Sequence, residues 1–107
     1  MNKVILLGRL TKEPELRQTQ GGTSVCNITI AVRRRFAKDG QQDCDFINCT
    51  AWASAAEFIC KNFEKGSPIA IVGELHSESW ENQEGKRQYS TNVTVEEVHF
   101  AGKKSEG

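Results

Sequence analysis

The sequence has no net charge: 14 Lys and Arg offset 14 Asp and Glu over 107 residues. A basic surplus over the whole chain, the usual mark of a non-specific polyanion binder, is therefore missing. No run of about 18 apolar residues occurs, which argues against a membrane span. The opening Met1-Asn2-Lys3-Val4-Ile5-Leu6-Leu7-Gly8-Arg9 is too short and too soon charged for a signal-peptide core, so the expected location is the cytoplasm. No C-x-x-C pair exists. Cys26, Cys44, Cys49 and Cys60 are spaced by 18, 5 and 11, and His76 and His99 lie far from any cysteine pair. That pattern speaks for buried reduced thiols and against zinc. G-x-S-x-G, P-loop and G-x-G-x-x-G motifs are all missing, and no Ser-His-Asp arrangement is suggested. Glu96, Glu97 and His99 could be imagined as an acid–base or metal group, but adjacent strand residues point to opposite faces. No catalysis, metal or cofactor is expected. There is no internal repeat and no low-complexity tract, and the length suits one domain.

The zero total hides an imbalance. Residues 1–38 hold eight cations (Lys3, Arg9, Lys12, Arg17, Arg33, Arg34, Arg35, Lys38) against Glu13 and Glu15, a net +6. Residues 39–107 hold six cations and twelve acids, a net −6. Such a layout suits an anionic partner on one face, and equally self-association of basic side to acidic side.

Strand patterning dominates. Val4 to Leu10 is an apolar run, and Glu15 to Gln20 is extended before the turn pair Gly21-Gly22. From Val25 to Arg35 the pattern has period two. Cys26, Ile28, Ile30 and Val32 share one face, and Asn27, Thr29, Ala31, Arg33 and Arg35 the other. Lys38 to Asp43 is a polar loop, and Asp45 to Trp52 is a strand. Ala53 to Phe63 has helical spacing, with Ala56, Ile59, Cys60 and Phe63 on one side and Lys65-Gly66 as a stop. Ile69 to His76 is a strand. Ser79-Trp80 leads into a hairpin loop over 81–86. Arg87 to Val95 returns, and Val98 to Ala101 adds a short final strand. One helix between the third and fourth long strands is the order of an all-β OB-fold, a five-stranded Greek-key barrel, with other small barrels and α+β sheets as alternatives.

The most informative segment is Asp45 to Trp52. Alternation places Ile47, Cys49 and Ala51 inside and Phe46, Asn48, Thr50 and Trp52 outside. Exposed rings are unfavourable unless something uses them. Stacked nucleobases would, at about 1–3 kcal/mol each; a protein interface or a covering helix are the other readings. Trp80 beside the hairpin is a packing residue or a stacking platform. Phe36 follows Arg33-Arg34-Arg35 and precedes Lys38, which makes a phosphate-and-base contact cluster or a solvated strand end.

Taken together and in order, these segments resemble the bacterial and phage single-stranded DNA-binding proteins from Asn2 to about Phe100. The carriers are Asn2 to Leu10, Glu13-Pro14-Glu15-Leu16-Arg17 with Gly21-Gly22, Asn27 to Val32, Lys65-Gly66-Ser67, Gly73-Glu74-Leu75 through Trp80, and Asn82 to Gly85. Asp45 to Trp52 is very like the Gram-positive form. The resemblance implies an OB-fold, a homotetramer and sequence-independent binding of single-stranded DNA in replication, recombination and repair. It places stacking rings at Phe36, Phe46, Trp52 and Trp80, and polar or basic contacts at Lys3, Arg17, Asn48 and Lys65. Arg33 and Arg35 come from alternation, and Thr50 from its place beside Asn48. Nucleoid association in the cytoplasm follows from the partner. An OB-fold accessory protein using the same face mainly for protein contacts is the alternative, as is an accessory domain of an enzyme on another chain.

Two departures stand out. The stretch before Trp80 is His76-Ser77-Glu78-Ser79, where many members are basic, so the three arginines are expected to compensate. The binding domain is expected over 1–101, with 102–107 a short flexible tail. Cellular members end in an acidic tip that recruits other proteins. The sequence given ends Gly102-Lys103-Lys104-Ser105-Glu106-Gly107, and tail-mediated recruitment is not expected from it.

Overall fold

Period-two apolar patterning becomes a closed sheet in the computed structural model, which describes residues 1–36, 40 and 43–102. The strands are β1 (Val4–Leu10), β2 (Arg17–Gln18), β3 (Ser24–Arg33), β4 (Cys44–Trp52), β5 (Pro68–Glu81) and β6 (Arg87–Phe100), with α1 (Ser54–Asn62) between β4 and β5. The order β1-β5-β6-β4-β3 closes through a β1–β3 pairing, and β2 is appended to β3. Only the β4–β6 contact is parallel among the described pairings. This is a five-stranded ring with one helix, the OB-fold.

Closure depends on β1 changing partners. Val4 to Arg9 pair with β5, while Arg9 and Leu10 also pair with β3. Gly8 sits at that handover, where a Cβ would collide with the Ala31 carbonyl. A side chain there would push β3 away from β1. Gly73 plays the matching part on β5, against the Thr94 carbonyl and beside a register shift.

The interior is filled from the inward face of the sheet and from the helix. Ile30, Ile69, Ile71 and Val93 are fully buried, and Cys26, Cys49 and Ala51 pack with them. Each large side chain buried this way is worth roughly 1.5–3 kcal/mol. α1 closes one end of the barrel with Ala56 and Ile59. Phe63 follows, stacked on Phe100 with ring centres 5.1 Å apart.

Several boundaries differ from the sequence expectations. β3 ends at Arg33, so alternation does not place Arg35, which lies in a bend. The extended piece at 15–20 pairs only through Arg17 and Gln18. β5 runs on to Glu81, so Trp80 is inside a strand; the turn is confined to 82–86. Asn82 makes that turn, accepting from the Glu84 and Lys86 amides at 2.9 Å. β6 is one strand rather than two: Val72 faces Glu97 and Gly73 faces Val95, leaving Glu96 as a bulge. The bulge breaks the strict alternation expected of Glu96 and Glu97, and both are exposed. Cys44 and Cys60 are half-buried, not buried like Cys26 and Cys49. Lys38 and residues 103–107 of the expected tail lie outside the described residues.

Candidate functional site

β4 presents Phe46, Asn48, Thr50 and Trp52 outward, as alternation requires, with Cys49 and Ala51 inward. Phe46 is 60% exposed and Trp52 45%. Six positions of strand put them about 20 Å apart. Among the described residues nothing covers them: α1 packs on the barrel core instead, which goes against the covered-core reading. Ala53 turns the chain sharply after Trp52, with φ of 55° and its amide donating to the Ser24 carbonyl at 2.7 Å. A non-glycine residue in that region is strained. The strain is held where β4 hands Trp52 to the surface.

The β4 residues are cross-linked to their neighbours. Thr50 faces Asn27 on β3 and Asn48 faces Thr29. The Thr50 hydroxyl donates to Asn27 Oδ1 at 3.0 Å, and the Thr29 hydroxyl donates to Asn48 Oδ1 at 3.0 Å. Asn92 of β6 donates to Thr50 Oγ1 at 2.7 Å. A neutral polar ladder thus crosses three strands between the two rings.

The β5–β6 pair continues this surface. Past Glu74 every β5 residue is exposed, so both strands leave the barrel as a two-stranded arm. Trp80 pairs with Gln88 and is 48% exposed. Residues two apart share a face, so Gln88, Ser90 and Asn92 lie on the Trp80 side. Asn92 connects that row to Thr50. Trp80 therefore belongs to the same face as Phe46 and Trp52. Tyr89, 75% exposed on the opposite side of the arm, was not singled out by sequence reasoning.

The cations are dispersed. Arg33 ends β3 on the outward side, across from Cys44. Arg35 lies 5.6 Å from the ring centre of Phe36, which is 86% exposed. Arg34 is held by Asp45, with Nη2 and Nε 2.7 and 3.0 Å from one carboxylate oxygen. That hydrogen bond holds the Asp45 carboxyl below its ordinary value. Arg17 lies on β2, in a small recess with Lys12, Glu13, Glu15 and Asn27.

Lys3 and Lys65 lie outside β3 and β4, before β1 and after α1. Lys3 donates to Glu96 at 2.7 Å, and this bond, with Glu97 and Glu74 nearby, raises its pKa. Lys65 lines a cleft of about 680 Å³ with Arg9, Lys61, Phe63 and Phe100, none of whose lining residues is on β3 or β4. Among the described residues no three His, Cys, Asp or Glu side chains converge as metal ligands would. No helix there is long and apolar enough to cross a membrane.

Residues 1–101 match the model of the single-strand binding protein family. The chain belongs to that family. It is 46% identical over 101 residues to the single-stranded DNA-binding protein of Bacillus cereus, covering 94% of this chain and 59% of that one. Against single-stranded DNA-binding protein 3 of Clostridium acetobutylicum the identity is also 46%, covering 94% and 70%. Against single-stranded DNA-binding protein A of Bacillus subtilis it is 43% over 108 residues, covering 100% and 63%. The Gram-positive character of Asp45 to Trp52 agrees with these relatives. The chain spans about three fifths of the length of the Bacillus proteins. Single-strand binding proteins are non-catalytic.

Proposed function

We propose that this chain binds single-stranded DNA without regard to sequence. Bases stack on Trp52, Phe46, Trp80 and Phe36. Arg17, Arg33, Arg35 and Lys65 meet phosphates, and Asn48 donates hydrogen bonds between the rings. Lys3 joins them only when a phosphate displaces Glu96. The observation that carries this reading is the exposure of Phe46, Trp52 and Trp80 on one sheet face, with neutral polar groups between them. Rings so placed offer π-faces to any base, which is why such binding tolerates sequence. The role is to coat exposed strands during replication, recombination and repair, in the cytoplasm with the nucleoid.

Self-association into a tetramer belongs to the same proposal. Ile5 and Leu7 point outward from β1, 75% and 61% exposed. They neighbour Val72 and Ala70 on β5. A second copy covering this apolar strip explains its exposure. Light scattering near 48 kDa, about four chain masses, is the expected result; a stable monomer would remove the tetramer.

The central experiment is tryptophan emission during addition of poly(dT). Trp52 and Trp80 are the only tryptophans, so strong quenching is expected. Unquenched emission at low salt would falsify the proposal.

A further inference from the structure

The polar ladder has a polarity of its own. Thr29 and Thr50 each have one hydroxyl proton, and both protons are spent inside the sheet, on Asn48 Oδ1 and Asn27 Oδ1. Thr50 also accepts from Asn92. The Asn27 and Asn48 carboxamides thus have an oxygen occupied by a neighbouring strand. An amide carries two N–H donors on its other end. Asn27 and Asn48 are exposed, and their N–H groups have no acceptor among the described residues. Asn92 uses one N–H on Thr50 and keeps the second. Asn27 and Asn48, from neighbouring strands, therefore turn N–H donors toward the strip between Phe46 and Trp52, and Asn92 of β6 adds its second N–H beside a carboxamide oxygen that no described residue occupies.

A neutral strip rich in N–H donors favours a partner rich in acceptors. Phosphodiester oxygens are that partner, and every nucleotide carries them whatever its base. From this we infer that Asn27 and Asn92, with Asn48, hold the strand's phosphates by neutral hydrogen bonds, and that Thr50 is a positioning residue rather than a contact. The inference rests on the single-strand reading. It changes the role of Thr50: its hydroxyl has no proton left to give a phosphate. It holds instead the Asn27 oxygen, which leaves the Asn27 N–H groups facing outward, and it anchors Asn92 through one of its two N–H groups.

The test is the anisotropy of a dye-labelled oligo(dT) titrated with the full chain over a range of salt. Asn27→Ala and Asn92→Ala are each expected to weaken binding roughly three- to tenfold. The slope of log K against log salt should stay unchanged, since a neutral donor releases no counterion. Thr50→Val should weaken binding similarly, and Thr50→Ser should restore it. Adding Asn27→Ala to Thr50→Val should cost little more, because the two act as one unit. Thermal unfolding run alongside identifies a variant that merely fails to fold. For a position where Ala fails that check, Ser, which keeps a small polar group, replaces it. Unaltered affinity in both asparagine variants, with the parent chain binding oligo(dT), overturns the inference and leaves the single-strand reading standing. A parent chain that does not bind oligo(dT) overturns both.

Discussion

Arg34 and Asp45 are locked together across the base of the β3–β4 pair, with Nη2 2.7 Å from Oδ1. The contact takes one of three consecutive arginines out of circulation. It also anchors the segment that carries Phe36 to the strand that carries Phe46. Both partners are exposed, so the pair adds little to stability. In the proposed binding its effect is the larger one, because a phosphate must compete with the carboxylate for Arg34.

Asp45→Asn should therefore tighten oligo(dT) binding at low salt. Freeing one cation steepens the slope of log K against log salt by about 0.7. Conversely, replacing Arg33, Arg34 and Arg35 with Ala should lower the slope by nearer two contacts than three, about 1.4. The Asp45 carboxyl is depressed below its usual range, so the pair's contribution is present above the unfolded value of 3.8 and disappears as pH falls through the folded one. At neutral pH the pair is intact. An Asp45→Asn slope equal to that of the parent chain would show that Arg34 never reaches DNA.

Trp52 and Trp80 sit on a rigid barrel strand and on a projecting arm. Trp52→Ala and Trp80→Ala should each lose about 1–3 kcal/mol of binding free energy. Single-tryptophan variants, Trp52→Phe and Trp80→Phe, separate the two signals. Both remaining tryptophans should be quenched by poly(dT). Quenching confined to the Trp52 signal would make Trp80 a packing residue of the arm.

Gly8 is the closure point of the barrel. Gly8→Val places a branched side chain against the Ala31 carbonyl and the Ile30 side chain. Overpacking of this kind costs about 1–3 kcal/mol, more if β1 and β3 separate. The melting temperature should fall by roughly 4–8 °C for each kcal/mol lost. A melting temperature equal to that of the parent chain would mean that β1 can shift without opening the ring.

Cys49 is buried in the barrel, and desolvation pushes its thiol up to about 12 from 9.0. A raised thiol pKa means that the unfolded chain loses this proton first. Stability from this group is therefore complete below pH 9 and declines as pH rises toward 12. Denaturant midpoints should drop between pH 8 and pH 10.5, and Cys49→Ala should lessen that drop. Cys49 should also resist thiol reagents at pH 8, while half-buried Cys60 reacts. Rapid labelling of Cys49 in the native protein would contradict its burial.

Some features were legible because they depend on near neighbours in the chain. Phe46 and Trp52 share the parity of Asn48 and Thr50, and period two alone sends all four to one face. α1 was visible in the spacing of Ala56, Ile59 and Phe63. The bulge at Glu96 was not, because it arises where β6 must follow β5 past Gly73. The same holds for the length of β5. Its exposed half has no regular apolar alternation to reveal it, and only pairing with β6 makes it a strand.

The sequence by itself determined the ring-bearing face, the helix, the strand order and, through the ordered set of segments, the family. The face and the helix rest on periodicity and spacing, which are local, and the family on the resemblance of the ordered segments. Tertiary structure decided which of the candidate contacts are occupied. Lys3 meets Glu96 across 93 residues, and Thr50 meets Asn92 across 42. Closing the sheet brings such distant groups within hydrogen-bond reach, and no pattern along the chain encodes that distance. The zero net charge becomes intelligible in the same way. Arg34 and Lys3 are partly neutralised by acids from elsewhere in the chain, which in the proposed binding leaves stacking and neutral amides a large share.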